Sequence, residues 1–227
     1  MNSPADKIKQ LAQPVLRIGF VDRFLHDRSF ADLVTLCLGA FGNLVFVVFD
    51  AVLWWMNPSP WNGAMTIYFA ALMVMGSLVA ASTGSNGKLS WRTAAAACGV
   101  TLIALAIIVA VVMYLGIVNG YVDPPHEFLV IGVAAFTFYN AIVAIITAAK
   151  TRKGDLRQQT LLRVSIASAI GALLILEMQM FGTYAAIADP MATVIIEAIS
   201  GGVGALLMLL MGCSLLRKLH IERSRSA

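Results

Sequence analysis

The sequence predicts an all-α polytopic membrane protein: a six-transmembrane-helix bundle behind a short N-terminal amphipathic helix, with both termini cytoplasmic. Three observations predict it. Of 227 residues, 59% are hydrophobic and only 12% are charged, half of the roughly 25% expected of a soluble domain. Apolar stretches of about 20 residues, the length that crosses the hydrocarbon as a helix, recur six times. All 16 Lys and Arg residues fall before, after or between these stretches in alternate connections, which gathers them on one face of the membrane.

Residues 1–32 form a cytoplasmic segment. Within it, 15–26 reads as an amphipathic helix, with Leu16, Phe20 and Phe24 every four residues and Arg17, Asp22 and Arg23 elsewhere on the wheel. Such a segment lies on the inner membrane surface or leads directly into span one. The first thirty residues mix Lys and Arg with Asp and contain no uninterrupted apolar stretch, so span one is expected to insert as an uncleaved anchor. The transmembrane domain occupies 33–216, with spans at 33–56, 63–83, 93–118, 128–149, 162–186 and 191–216, and a cytoplasmic tail follows at 217–227. Turn-forming residues separate the spans: Asn57-Pro58-Ser59-Pro60, Gly84-Ser85-Asn86-Gly87, Asn119-Gly120 with Asp123-Pro124-Pro125, Lys153-Gly154-Asp155, and Asp189-Pro190, the last proline standing at a first helical turn.

Loop charge sets the orientation. Five basic residues precede span one. Lys88 and Arg92 lie between spans two and three. Lys150, Arg152, Lys153, Arg157 and Arg163 lie between four and five or at the start of five, and Arg217, Lys218, Arg223 and Arg225 follow six. The other connections carry Asp123, Glu127 and Asp189 instead. The positive-inside rule makes the basic side cytoplasmic, in a multi-pass protein of the cell membrane. Trp54, Trp55, Trp61, Tyr121 and Tyr184 then fall near the outer interface and Trp91 near the inner one, where aromatic rings with a polar edge are favoured. The net charge of +4 is explained by this rule and requires no nucleic acid.

An ionisable side chain at membrane depth costs about 2.5–3.5 kcal/mol on insertion scales. Asp50, Glu177 and Glu197 meet that description, all in the outer half, with no Lys or Arg at their depth. Glu177 is accompanied by Gln179 and Tyr184, and Glu197 by Thr193 and Ser200; His126 and Glu127 approach from the outer loop. These residues predict an outward-facing acidic pocket for a cation, a proton or an amine. The structural alternative is a pair of protonated glutamates that hydrogen-bond between helices. Asn43 and Asn140 stand near mid-membrane in the related contexts Phe41-Gly42-Asn43 and Phe138-Tyr139-Asn140. They are read either as isolated interhelical hydrogen-bonders or as marks of an inverted three-plus-three repeat, whose interface is where transporters place their sites.

Small residues four apart in span six, Ser200 with Gly204 and Ala198 with Gly202, let helix backbones approach. They serve packing within one bundle or a homo-oligomer through this Gly-rich face. Cys37, Cys98 and Cys213 lie in apolar segments with no metal-ligand spacing, and the abundant Met reads as gap-filling. No HExxH, nucleophile–histidine or paired-Asp pattern occurs, and all three histidines lie in loops or termini. The expectation is therefore no enzyme, no metal and no cofactor.

Phe138-Tyr139-Asn140, Lys150-Thr151-Arg152-Lys153, Leu161-Leu162-Arg163 with Ile166-Ala167-Ser168-Ala169, the Gly-rich start of span six and, more weakly, Phe41 to Ala80 carry a resemblance. On these residues the chain resembles a family of bacterial six-span membrane proteins with no assigned activity. The resemblance implies the six-span architecture and a bacterial inner membrane, and is silent on substrate. In that family's pattern the position of Asn140 is usually basic and that of Glu177 usually Gln, so this chain departs at both. Two functions follow from the residues. One is a small transporter or channel with an acidic outer pocket. The other is a non-transporting partner, sensor or assembly subunit that docks a cytoplasmic protein or anionic lipid through the basic loop 150–163.

Overall fold

The computed structural model describes residues 28–56, 58–83, 90–119, 127–150, 156–184 and 190–225. The amphipathic segment 15–26, the connecting loops with Tyr121 and His126, and the side chain of Tyr184 lie outside the described residues. Six helices account for nearly all that is described: α1 (Arg28–Met56), α2 (Pro60–Thr83), α3 (Trp91–Asn119), α4 (Glu127–Lys150), α5 (Leu156–Tyr184) and α6 (Pro190–Arg225). Each is long and apolar enough to cross a membrane. The chain is an integral membrane protein in contact with the lipid bilayer.

Local chemistry sets several of the starts. Ser59 caps α2, its Oγ accepting from the Asn62 N–H at 3.1 Å, with Pro60 next in the first turn, where its missing N–H costs nothing. Ser90 caps α3 in the same way, accepting from the Arg92 N–H at 3.2 Å. Several helices outrun the expected spans: α1 begins at Arg28 rather than 33, and α5 and α6 extend furthest. α5 begins at Leu156 rather than 162, because its polar first turns are packed: Thr160 and Leu161 are buried, and the Arg157 guanidinium lies 5.3 Å from the centre of the Trp91 ring. α6 continues past 216 to Arg225, because Leu215 is fully buried and Leu219 packs on the core. Residues that looked like a tail are thereby held in the helix.

α2 and α5 occupy the middle of the bundle. Tyr68, Phe69, Leu72 and Met75 of α2 are fully enclosed, as are Ala167 and Ala172 of α5. Tyr68 lies flat against Gly171, where any Cβ would collide with its ring. Its hydroxyl donates to the Ala167 carbonyl at 2.6 Å, which satisfies a buried donor. α3 and α6 form the most extensive seam, running antiparallel. A Cβ on Gly212 would sit 2.8 Å from the Gly99 carbonyl oxygen, and one on Gly99 would sit 3.4 Å from that of Gly212. These two glycines bring the backbones together as small residues do between membrane helices. α1 packs on α2 and only lightly on α4.

The neighbour pattern has an internal symmetry. Exchanging the first three helices for the last three carries α1·α2 onto α4·α5 and α2·α3 onto α5·α6, and leaves α1·α4, α2·α5 and α3·α6 in place. Only the α3·α5 contact has no counterpart among these extensive pairs. The starts of α4, α5 and α6 follow those of α1, α2 and α3 by 99, 96 and 99 residues, and Asn140 follows Asn43 by 97. Apart from α3·α5, the helix neighbours are those that an inverted three-plus-three repeat would have.

Candidate functional site

Several polar residues of the membrane-spanning helices gather in two clusters rather than one pocket. At mid-bundle, Ser168 of α5 joins Asn43 of α1 and Asn140 of α4. Its Oγ lies 3.1 Å from Asn43 Oδ1 and 3.0 Å from Asn140 Oδ1. All three are buried. A hydroxyl carries one proton and can donate to only one of the two. Asn140 is held in place because its Nδ2 donates to the Phe136 carbonyl at 3.0 Å. Turning the Asn43 amide over makes its Nδ2 the donor to Ser168, and Ser168 then donates to Asn140. The heavy-atom positions are unchanged, since amide orientation follows from the network. The two asparagines therefore meet across the helix pair, and their shared partner is a serine that sequence reasoning had not placed in any site. Its only signal was a small hydroxyl in the middle of an apolar span.

The second cluster lies toward the end of the bundle where α1 finishes and α2 begins. Ser200 of α6 donates to Glu177 Oε1 of α5 at 2.7 Å, and its Oγ is also 3.2 Å from the Glu197 carbonyl. Glu197 is 5% exposed and lies within electrostatic reach of the Glu177 carboxyl. Glu177 and Glu197 are neighbours, and Ser200 reaches the Glu177 carboxyl and the main-chain carbonyl of Glu197. Along α5, Glu177 is nine residues beyond Ser168, or about 13 Å at the helical rise. This approaches the edge of a hydrocarbon layer about 30 Å thick.

Two other expected members stand elsewhere. Gln179 is seven residues beyond Ala172 and eleven beyond Ser168, so it belongs to the stripe of α5 that meets α4 and not to the Glu177 face. Thr137 of α4 marks that stripe, its hydroxyl 3.0 Å from the Ala172 carbonyl. Asp50 is 3% exposed on α1, seven residues beyond Asn43 on the same inward face, and its Oδ2 is buried without a hydrogen-bond partner. α1 has no extensive contact with α5 or α6, so Asp50 shares the depth of the glutamates and not their site. Tyr184 is the final residue of α5.

The helices also gather their basic residues at one end. Asp50, Glu177 and Glu197 lie toward one end, although Asp32 and Glu222 do not. Toward the other, where Trp91 meets Arg157, stand Arg92, Arg157, Arg163, Arg217 and Lys218. Arg163, expected at the very start of span five, stands in the third turn of α5 because that helix begins earlier.

A groove of about 430 Å3 opens between α1 and α4. It is lined mainly by Phe41, Phe46, Phe49, Phe136 and Tyr139. Phe46 and Phe136 stack across it with centroids 4.3 Å apart, and Gly42 admits the Phe136 ring. It lies at α1 and α4, away from the Glu177–Glu197 pair.

Of the Gly-rich face of α6, Gly201 meets Met113, Gly204 meets Ile170 and Gly212 meets α3. These positions are used within the bundle, whereas Ala198 and Gly202 point outward with open space around Gly202. No group of His, Cys, Asp and Glu among the described residues has a metal-binding arrangement. No protein-family model, no curated protein and no solved structure matches the chain.

Proposed function

We propose that this membrane protein is a small transporter or channel whose acidic end faces outward and whose Glu177–Ser200–Glu197 cluster takes up a cation: a proton, a small inorganic cation or an amine. The observation that carries this reading is two carboxyls on consecutive helices within electrostatic reach, that of Glu177 held by Ser200, with no Lys or Arg in that half of any helix. Two like charges in a poorly solvated place repel, and a bound cation removes the repulsion while keeping both oxygens coordinated. Ser200 orients Glu177 for that task.

The inverted packing of the two halves supports the transport side of the proposal. Two similar three-helix units packed in opposite senses have two nearly equivalent arrangements, one opening each side. Orientation in the membrane follows from the basic residues at the opposite end.

The test is thermal stability of the purified full chain with a panel of alkali cations, divalent cations and simple amines, for wild type and Glu177→Gln. A ligand that stabilises only wild type supports the site and selects the solute for a proteoliposome flux assay. Equal melting of both proteins under every ligand leaves Glu177 a structural hydrogen-bond acceptor, and the reading fails.

A further inference from the structure

We infer that Arg163 forms an oxyanion-binding site at the basic end of the bundle, taking a phosphate group either from an anionic lipid headgroup or from a free phosphate. This inference is independent of the cation site proposed above.

The contacts of α5 orient the residue. Ala167 and Gly171 meet Tyr68 of α2, and Ile170 and Leu174 meet Gly204 of α6. Arg163 precedes Ala167 by four residues and Ile170 by seven, which places it on the same face. It therefore looks toward α2 and α6 and not toward lipid. Its guanidinium Nη1 is buried and has no hydrogen-bond partner. Arg163 is only five residues from Ser168, about 7 Å along the helix from the mid-bundle cluster.

Among the described residues, no acid is paired with it. α2 contains no charged residue at all, and the acids of α6 are Glu197, in its opposite half, and Glu222, near its far end. A guanidinium is always charged and offers five donors in a planar fork. A half-buried fork whose Nη1 is unsatisfied lacks the partner it is shaped for, and a tetrahedral phosphate supplies it through two parallel N–H···O bonds. Other cations at the same end of the bundle favour the approach of such an anion. Arg157 lies over Trp91, and Arg92 follows the Ser90 cap of α3.

The experiment uses the full chain in nanodiscs of neutral phosphatidylcholine and in nanodiscs with one-fifth phosphatidylglycerol. Lipid retained per protein is counted by native mass spectrometry, and phosphate binding in the neutral discs is measured by calorimetry. Wild type is expected to retain phosphatidylglycerol or to bind phosphate, and Arg163→Gln is expected to weaken that binding by about tenfold or more, the worth of a charged hydrogen bond. Retention of lipid without phosphate binding identifies the headgroup as the source. Phosphate binding in neutral discs identifies a soluble anion. Arg217→Gln removes the same charge from an exposed position and is expected to bind as wild type. The inference is overturned if wild type prefers neither reagent, or if Arg163→Gln and Arg217→Gln behave alike. Should Arg163→Gln not fold, Arg163→Lys keeps the charge without the fork, and wild-type affinity in that variant overturns it equally.

Discussion

Gly99 of α3 and Gly212 of α6 face each other so closely that a methyl on Gly212 would lie 2.8 Å from the Gly99 carbonyl oxygen. The seam cannot open at this point without losing backbone contact along both helices. It forms one side of the bundle, and the lightly joined α1 and α4, with their aromatic groove, lie away from it.

Gly212→Ala is therefore expected to destabilise the protein by about 1–3 kcal/mol through overpacking. Gly202→Ala, with nothing within 4 Å of the new methyl, is expected to be neutral or to stabilise by about 0.4–1 kcal/mol by restricting the unfolded chain. Thermal melts of the two variants in one detergent check the contrast. Equal losses would show that the α3–α6 contact is not tight.

Ser168→Ala removes the hydroxyl that links Asn43 to Asn140 and leaves their buried amides short of a partner. The expected loss is about 1–3 kcal/mol, the cost of an unsatisfied buried polar group. The double-mutant cycle with Asn43→Leu should then be non-additive, because both changes act on the same network.

Tyr68→Phe keeps the ring against Gly171 and deletes the donor to the Ala167 carbonyl. A loss of about 1 kcal/mol is expected, the usual net worth of a hydrogen bond. Gly171→Ala should cost more, since the methyl must displace the ring as well as break that bond. A melt series that reverses this order would contradict the packing of α2 on α5.

Ser200→Ala tests the acidic cluster. It removes the 2.7 Å bond to Glu177 without touching either carboxyl. Cation-dependent stabilisation is expected to weaken by about tenfold relative to wild type, while Glu177→Gln abolishes it. Undiminished stabilisation in Ser200→Ala would show that Ser200 does not orient the acid.

Much of this protein was legible from periodicity and charge alone. Six apolar stretches, their polar breaks and the alternation of basic connections depend on each segment's own composition, because a membrane helix must satisfy its backbone internally and bury its apolar side chains in lipid. The paired glutamates were legible as well, since α5 and α6 are joined by a short loop and a carboxyl at depth is conspicuous. Partnership between distant helices was not legible. Nothing local in Ser168 announces that it bridges Asn43 and Asn140, and nothing local in Gln179 says that its stripe of α5 meets α4.

By itself the sequence determined the helices, their number, and which ends of them carry charge. Only the tertiary structure decided that Asp50 stands apart from Glu177 and Glu197. It alone held Leu156–Leu161 and Arg217–Arg225 in helix through packing, and it turned Arg163 inward toward α2 and α6. The physical reason is that lipid treats every apolar face alike. The rotation and neighbours of a membrane helix are chosen by close packing and a few interhelical hydrogen bonds: here Gly99 against Gly212, Tyr68 against Gly171, and Ser168 between two asparagines.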